Sequence, residues 1–270
     1  GVRIPSMPDL LLEAQDEVRQ RDPDQARLAG IISKDLALSA AVLRTVNSPF
    51  FGLRSQVTSV RQALVLLGIG CVMNLVTAHA LRQAMADTAV AMPRFWDTAM
   101  EVARLCASLA QRLSDIPPDE AYTAGLFHNC GIPLLAQRFP HYKDILREAN
   151  ASPDRELTQV EESHLDTDHA VVGYFVAHTW MLPDDVALLV RHHHELAEFL
   201  GEDTPSGRPW ETMLCILAMA NHTHHVHRGD KEDLEWARNS HRVLDYLALS
   251  EDDFADLQSA LLDELEAEGA

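Results

Sequence analysis

The chain is short of positive charge. Its 22 Lys and Arg stand against 41 Asp and Glu, a formal net charge of −19. That disfavours nucleic acid as the main partner, because duplex affinity comes largely from cations that neutralise phosphates, and it disfavours anionic membrane surfaces for the same reason. Long apolar runs are missing too: stretches such as Ala63 to Gly68 are far below the roughly 18 to 20 residues of a membrane-spanning helix. The first ten residues carry Pro5, Pro8 and Asp9 and no continuous apolar core, so they do not read as a signal peptide. The expectation is a cytoplasmic protein with no membrane partner. Cysteine is sparse. Cys71, Cys106, Cys130 and Cys215 form no Cys-x-x-Cys pair, which argues for reduced thiols over a disulfide framework. Period-two alternation is absent beyond a few residues, which leaves no evident strand.

What is present is a globular composition, 47% hydrophobic and 23% charged over 270 residues, enough to bury a core without staples. Helical spacing fills nearly the whole chain. Asp22-Pro23-Asp24 reads as a cap followed by a first-turn proline, and Asp35 caps a segment that Asn47-Ser48-Pro49 stops. Thr58 or Ser59 starts a third helix, and Gly68 sits where a left-handed terminating residue is wanted. Phe95, Ala99, Val102, Cys106, Leu109 and Leu113 give the clearest stripe, an amphipathic helix of about five turns. Ser250 followed by three acids opens the last helix. The fold class is therefore all-α. Composition shifts at Met92-Pro93, and a second break lies in residues 201–209. We divide the chain into an N-terminal helical part, residues 1–91, a His-rich part, residues 92–228, and an acidic C-terminal extension, residues 229–270.

Histidine is the compositional oddity: eleven of fourteen lie from His164 onward. His128-Asn129 sits between apolar residues and Gly131, in a place where a His followed by an acid would bind metal, imidazole holding one ion and carboxylate bridging two. Asn129 brings no charge. His169 precedes an apolar helix, His192-His193-His194-Glu195 ends another, and Asn221-His222 opens a last group with His224, His225 and His227. Singly, each has a structural explanation: a hydrogen-bonded core residue, a cation at the negative end of a helix dipole, or, for the last three, a solvated face. Asn47, Phe50 and Phe51 form a candidate contact loop, with a packed turn as its structural alternative.

In order, Ile4-Pro5-Ser6-Met7-Pro8, Ile31 to Asp35, Asn47 to Gly52, Thr58 to Ala63, Leu66-Leu67-Gly68, Phe95-Trp96, Ala124 to Asn129, Asp168 to Gly173 and His193-His194-Glu195 resemble the HDOD family. That family is a helical relative of the HD-type metal-dependent phosphohydrolases of bacterial signalling. The resemblance spans roughly residues 3 to 228 and implies a multi-helical HD-like bundle with an N-terminal helical subdomain packed on it. By the same resemblance, the metal positions of HD hydrolases fall on Thr98, His128, Asn129, His169, His193, His194 and Asn221. Three ligand types are then missing, and Ile132 replaces a lysine that often follows the His-Asp pair in the related phosphodiesterases. Amides in place of two carboxylates remove the bridge that a two-metal mechanism needs.

The expected function is a non-enzymatic signalling module that binds a small nucleotide or a protein partner through the degenerate pocket or the groove between its parts. No residue is assigned a catalytic role and no metal is expected. Should an ion bind, it would be a single zinc-like one on His128, His169, His193 and His194, since three imidazoles suffice with one position open. The alternatives are a phosphohydrolase or phosphodiesterase built on that residual site, and an assembly role for the acidic tail, Glu251 to Glu268, through Leu257, Leu261, Leu262 and Leu265, for which a solvated final helix is the simpler account.

Overall fold

Short polar side chains start the helices. Asp24 Oδ1 accepts from the amides of Ala26 and Arg27 at 2.8 and 3.2 Å, Asp35 Oδ1 from Leu38 at 2.9 Å, Ser59 Oγ from Gln62 at 3.1 Å and Asp168 Oδ1 from Val171 at 2.7 Å. Each satisfies a first-turn N–H that has no partner within the helix. The first cap is Asp24, not Asp22: the helix begins at Gln25, and Pro23 lies outside it.

The computed structural model describes residues 1–86, 94–152, 154–201, 207–230 and 233–269, and every long regular element among them is an α-helix. The N-terminal part holds α1 (Asp9–Val18), α2 (Gln25–Ile32), α3 (Leu36–Val46) and α4 (Val60–Ala84). The central part runs through α5 (Phe95–Leu113), α6 (Pro118–Phe127), α7 (Gly131–Arg138), α8 (Tyr142–Ala151), α9 (Leu157–Leu165), α10 (His169–Thr179), α11 (Asp184–His192), the short α12 (Leu196–Phe199) and α13 (Pro209–His227). Helices α14 (Leu234–Tyr246) and α15 (Glu251–Gly269) follow. The inferred boundary at residues 91 and 92 lies outside the described residues, as does most of the 201–209 break.

Helix α5 is the organising strut. Its predicted stripe buries Ala99, Val102, Cys106 and Leu109, and it packs on α6, α13 and α15. Helices α2 and α3 pack on α4, and α4 reaches α6, so one continuous core links the N-terminal and central parts. Gly68, at φ 85° and ψ 165°, divides α4 into two helical segments at a kink, as expected, in a conformation open to glycine alone. By length and composition α4 is apolar enough to cross a membrane, contrary to the expectation drawn from uninterrupted runs. Here 61% of that stretch is buried inside the fold.

Two candidate contact surfaces are largely packed against the fold. Phe50 and Phe51 are 1% and 7% exposed, and both oxygen and nitrogen of the Asn47 side chain bond the backbone of Val57, each at 2.7 Å. The proposed contact loop is thus a packed turn, because burying two phenyl rings removes far more apolar surface from water than displaying them. Of the four leucines of the acidic tail, Leu261 and Leu265 are buried together with Phe254, while Leu257 and Leu262 are half-buried; Glu264 accepts from Ser108 Oγ at 3.0 Å and pairs with Arg112 on α5.

Candidate functional site

The end of α6 delivers His128 and Asn129 into the interior. His128 Nδ1 donates to the Gly125 carbonyl at 2.8 Å, which fixes the tautomer and leaves Nε2 as a lone pair. Burial pushes this imidazole's pKa down to about 3, with a backbone hydrogen bond opposing and the neighbouring imidazoles of His194 and His169 assisting. Asn129 Nδ2 donates to His128 Nε2 at 2.8 Å, so its Oδ1 turns the other way and lies 3.2 Å from His193 Nε2.

Three further histidines converge. His169, at the first turn of α10, and His193 and His194, just beyond α11, bring their Nε2 atoms together: 3.3 Å separates those of His169 and His193, and 3.2 Å those of His169 and His194. Every Nδ1 is turned outward to an acceptor. His169 Nδ1 bonds Glu161 Oε2 at 2.7 Å, His193 Nδ1 bonds the Val190 carbonyl at 2.9 Å, and His194 Nδ1 bonds Glu235 Oε1 at 3.1 Å. Each Nδ1 therefore carries a hydrogen, and when all three rings are neutral three Nε2 lone pairs face one another with the Asn129 oxygen beside them; a proton taken up by His194 is donated to His169 Nε2. Lone pairs at such distances repel unless a cation or a proton lies between them. Burial, with the charges of its three histidine neighbours, holds His193 well below the ordinary imidazole pKa. Burial acts the same way on His194, but the Glu235 carboxylate outweighs it by charge and hydrogen bond, and Glu156 and Glu161 add to the rise. The supporting carboxylate Glu161 is fully buried and also receives the Tyr142 hydroxyl. Burial would raise its pKa, yet the bonds from His169 and Tyr142 hold it below the usual carboxylate range.

A cavity of about 530 Å³ opens beside this cluster, lined by Thr98, His128, Asn129 and Asn221 on its polar side. Phe95, Ala99, Ile132, Ala136 and Leu146 make the rest largely apolar, and the exposed Arg94 and Lys143 supply its charge. No carboxylate lines it among the described residues. The sequence matches the HDOD domain over residues 4–196. The chain belongs to the HDOD family.

This HDOD fold recurs in solved structures. A candidate phosphohydrolase from Shewanella amazonensis SB2B superposes with a TM-score of 0.67 at 24% identity, covering 96% of this chain and 90% of that one. An HDOD domain protein of unknown function from Geobacter sulfurreducens gives 0.66 at 22%, with 98% and 91% covered. A candidate signal transduction protein from Marinobacter aquaeolei VT8 gives 0.65 at 24%, with 98% and 59% covered. At these identities the likeness establishes the fold. An uncharacterized protein of Treponema pallidum (strain Nichols) is 26% identical over 221 residues, which are 82% of this chain and 42% of that protein. The chain thus spans less than half the length of this relative. The family match ends at residue 196, short of the roughly 228 inferred from fragments, so α13 to α15 lie beyond it.

Of the seven HDOD pocket residues inferred from sequence, Thr98, His128, Asn129 and Asn221 share the cavity, while His169, His193 and His194 form the trio behind Asn129. The His128 ring packs edge-on against His193, their centroids 5.3 Å apart, but its Nε2 is engaged by Asn129 and does not join the three. His224, assigned to a solvated face, is buried, with Nδ1 3.0 Å from Glu101. Sequence reading missed Glu161, Tyr142, Glu235, Arg94 and Lys143. Glu161 lies eight residues before His169 on another helix, and Glu235 comes from the extension taken as separate; nothing in local spacing marks either.

The donor set fits one ion. Two nitrogens about 2.0 to 2.1 Å from a tetrahedral zinc-like centre lie about 3.3 Å apart, the spacing of His169 Nε2 from those of His193 and His194, and each imidazole has the outer hydrogen bond that orients metal-bound histidine. His169, His193 and His194 would hold it, Asn129 Oδ1 adjoining. An ion bound there supplies Lewis acidity and a more acidic bound water. The trio itself contains no carboxylate, but Glu156 and Glu235 gather with His194 on the side of its Nδ1 as a second group that could hold an ion.

Proposed function

We propose that this HDOD chain is a non-enzymatic module of bacterial signal transduction that binds a small nucleotide in the cavity beside Asn129. The observation that carries this reading is the cavity's lining: an apolar body suited to a planar base, with Arg94 and Lys143 as its only charged groups among the described residues, in a chain of net charge −19. Cations gathered in an acidic protein favour an anionic group at that end of the ligand. The amide at position 129, where a hydrolase would place a bridging carboxylate, argues for recognition over turnover. The free thiols Cys71, Cys106, Cys130 and Cys215 support a reducing, cytoplasmic setting. Calorimetric titration with mononucleotides and cyclic dinucleotides tests the proposal. Saturable one-to-one binding of at least one is expected, weakened tenfold or more by Arg94→Gln/Lys143→Gln. Failure of every nucleotide to bind at millimolar concentration, or indifference to that pair, refutes it.

A second reading, a metal-dependent phosphohydrolase, is favoured by one observation, the convergence of the Nε2 atoms of His193 and His194 on that of His169, at 3.3 and 3.2 Å. It requires one zinc-like ion per chain in protein purified without a histidine tag, metal-dependent cleavage of a phosphoester, and loss of both in His193→Ala. A single bound ion without turnover assigns the trio a structural or regulatory role, and under a tenth of an equivalent of metal removes the reading.

A further inference from the structure

A second cavity, of about 310 Å³, lies where α3 and α4 meet α5 and α6, and shares no lining residue with the first. Arg44 and Thr45 reach it from α3, His79 and Arg82 from α4, Arg104 from α5 and Tyr122 from α6. Three of the chain's 22 basic side chains thus line one small space. No carboxylate lines it among the described residues. Like charges held together raise the local potential and favour an anion at their centre.

Unpaired buried atoms mark the same place. His79 is 7% exposed and its Nδ1 has no hydrogen-bond partner; the buried Nε of Arg82 has none either. Buried polar atoms of native proteins are nearly always paired, so two orphans in one cavity call for a missing partner. His79 Nε2 lies 2.8 Å from Thr45 Oγ1. That hydroxyl has one hydrogen to give, to Nε2 or to the Ala41 carbonyl at 3.1 Å: in the first case Nδ1 carries a hydrogen and donates, in the second it donates once an anion draws a proton onto the ring. Burial, with Arg82 and Arg44 assisting, pushes the His79 pKa down to about 4, in keeping with a positive local potential.

We propose that this cavity binds the phosphoryl group of a small phosphorylated molecule, gripped by the Arg44 and Arg82 guanidiniums and by His79 Nδ1–H. A doubly charged phosphoryl group matches several cations better than a carboxylate does, and the guanidinium fork bonds its oxygens two at a time. The site would read a phosphorylated signal where the N-terminal helices meet the central bundle, independently of the nucleotide cavity.

The test is calorimetric titration of the full chain with inorganic phosphate, ribose 5-phosphate and ribose, at constant ionic strength set with potassium chloride. Saturable one-to-one binding of a phosphoryl probe is expected, with ribose silent. Tighter binding of ribose 5-phosphate than of phosphate identifies a phosphomonoester as the ligand class, and the reverse identifies free phosphate. Arg44→Gln/Arg82→Gln should lower affinity tenfold or more, and Arg44→Gln alone, at an exposed position, should lower it without affecting folding. Arg94→Gln/Lys143→Gln should leave it unchanged, which separates this site from the nucleotide cavity. In the unaltered chain, phosphate should move the His79 ring titration followed by NMR to higher pH. No saturable binding at millimolar concentration, binding that survives Arg44→Gln/Arg82→Gln, or an unmoved His79 titration overturns the proposal.

Discussion

Glu161 Oε2 accepts both hydrogen bonds that His169 offers, from its backbone N at 2.9 Å and from its Nδ1 at 2.7 Å. Its other oxygen receives the Tyr142 hydroxyl. One buried carboxylate therefore sets the ring orientation and tautomer of His169 and aims Nε2 at His193 and His194. The side chain that organises the cluster lies behind it, on a different helix.

Replacing that carboxylate by its amide leaves one oxygen where two were used and removes the charge that strengthens all three bonds. Glu161→Gln is expected to cost about 2 kcal/mol, the usual range for a lost charged hydrogen bond. Urea denaturation at pH 7 measures it, and unchanged stability refutes the role given to Glu161.

Gly131 stands at the start of α7 against the start of α10. A Cβ built there lies 2.0 Å from the His169 carbonyl oxygen, so any side chain must push the two helices apart. Gly131→Ala should cost about 1 to 3 kcal/mol, the range of overpacked sites, and should displace the His169 ring resonances in an NMR spectrum. A spectrum matching that of the unaltered chain would disprove the close approach.

His79 is held neutral, with its pKa pushed down to about 4 from the ordinary value of 6.5 by burial and by Arg82 and Arg44. The unfolded chain takes up the proton first as pH falls. The stabilisation from the neutral ring is thus full above pH 6.5 and is lost on descent from there toward pH 4. One proton's difference is worth about 1.4 kcal/mol per pH unit, about 3 kcal/mol in all. In phosphate-free buffer, His79→Asn should lose stability less steeply than the unaltered chain between pH 6.5 and 4.5. Parallel curves would show that this ring is not held neutral.

Leu261 is completely buried, although it lies on the acidic final helix. Leu261→Ala should cost about 2 to 5 kcal/mol, as core leucines do, and should leave the oligomeric state seen by gel filtration unchanged. A loss below 1 kcal/mol with a change in assembly would restore the tail to a partner-binding role.

The all-α class, the register of α5, the caps at Asp35 and Ser250, the HDOD membership and the histidines of the site were legible in the sequence alone. These features rest on 3.6-residue periodicity, on a side chain bonding an amide two or three residues on, or on fragments in fixed order, all of them properties of neighbours along the chain. What only the tertiary structure decided is which groups meet across helices. Glu161 orients His169, Glu235 from α14 orients His194, and Arg44, Arg82 and Arg104 close on one cavity from three helices. It also decided that Phe50, Phe51 and Leu261 face inward. Such pairings depend on the crossing of helices far apart in sequence, where the burial of apolar faces sets the geometry and the polar side chains meet as that packing requires.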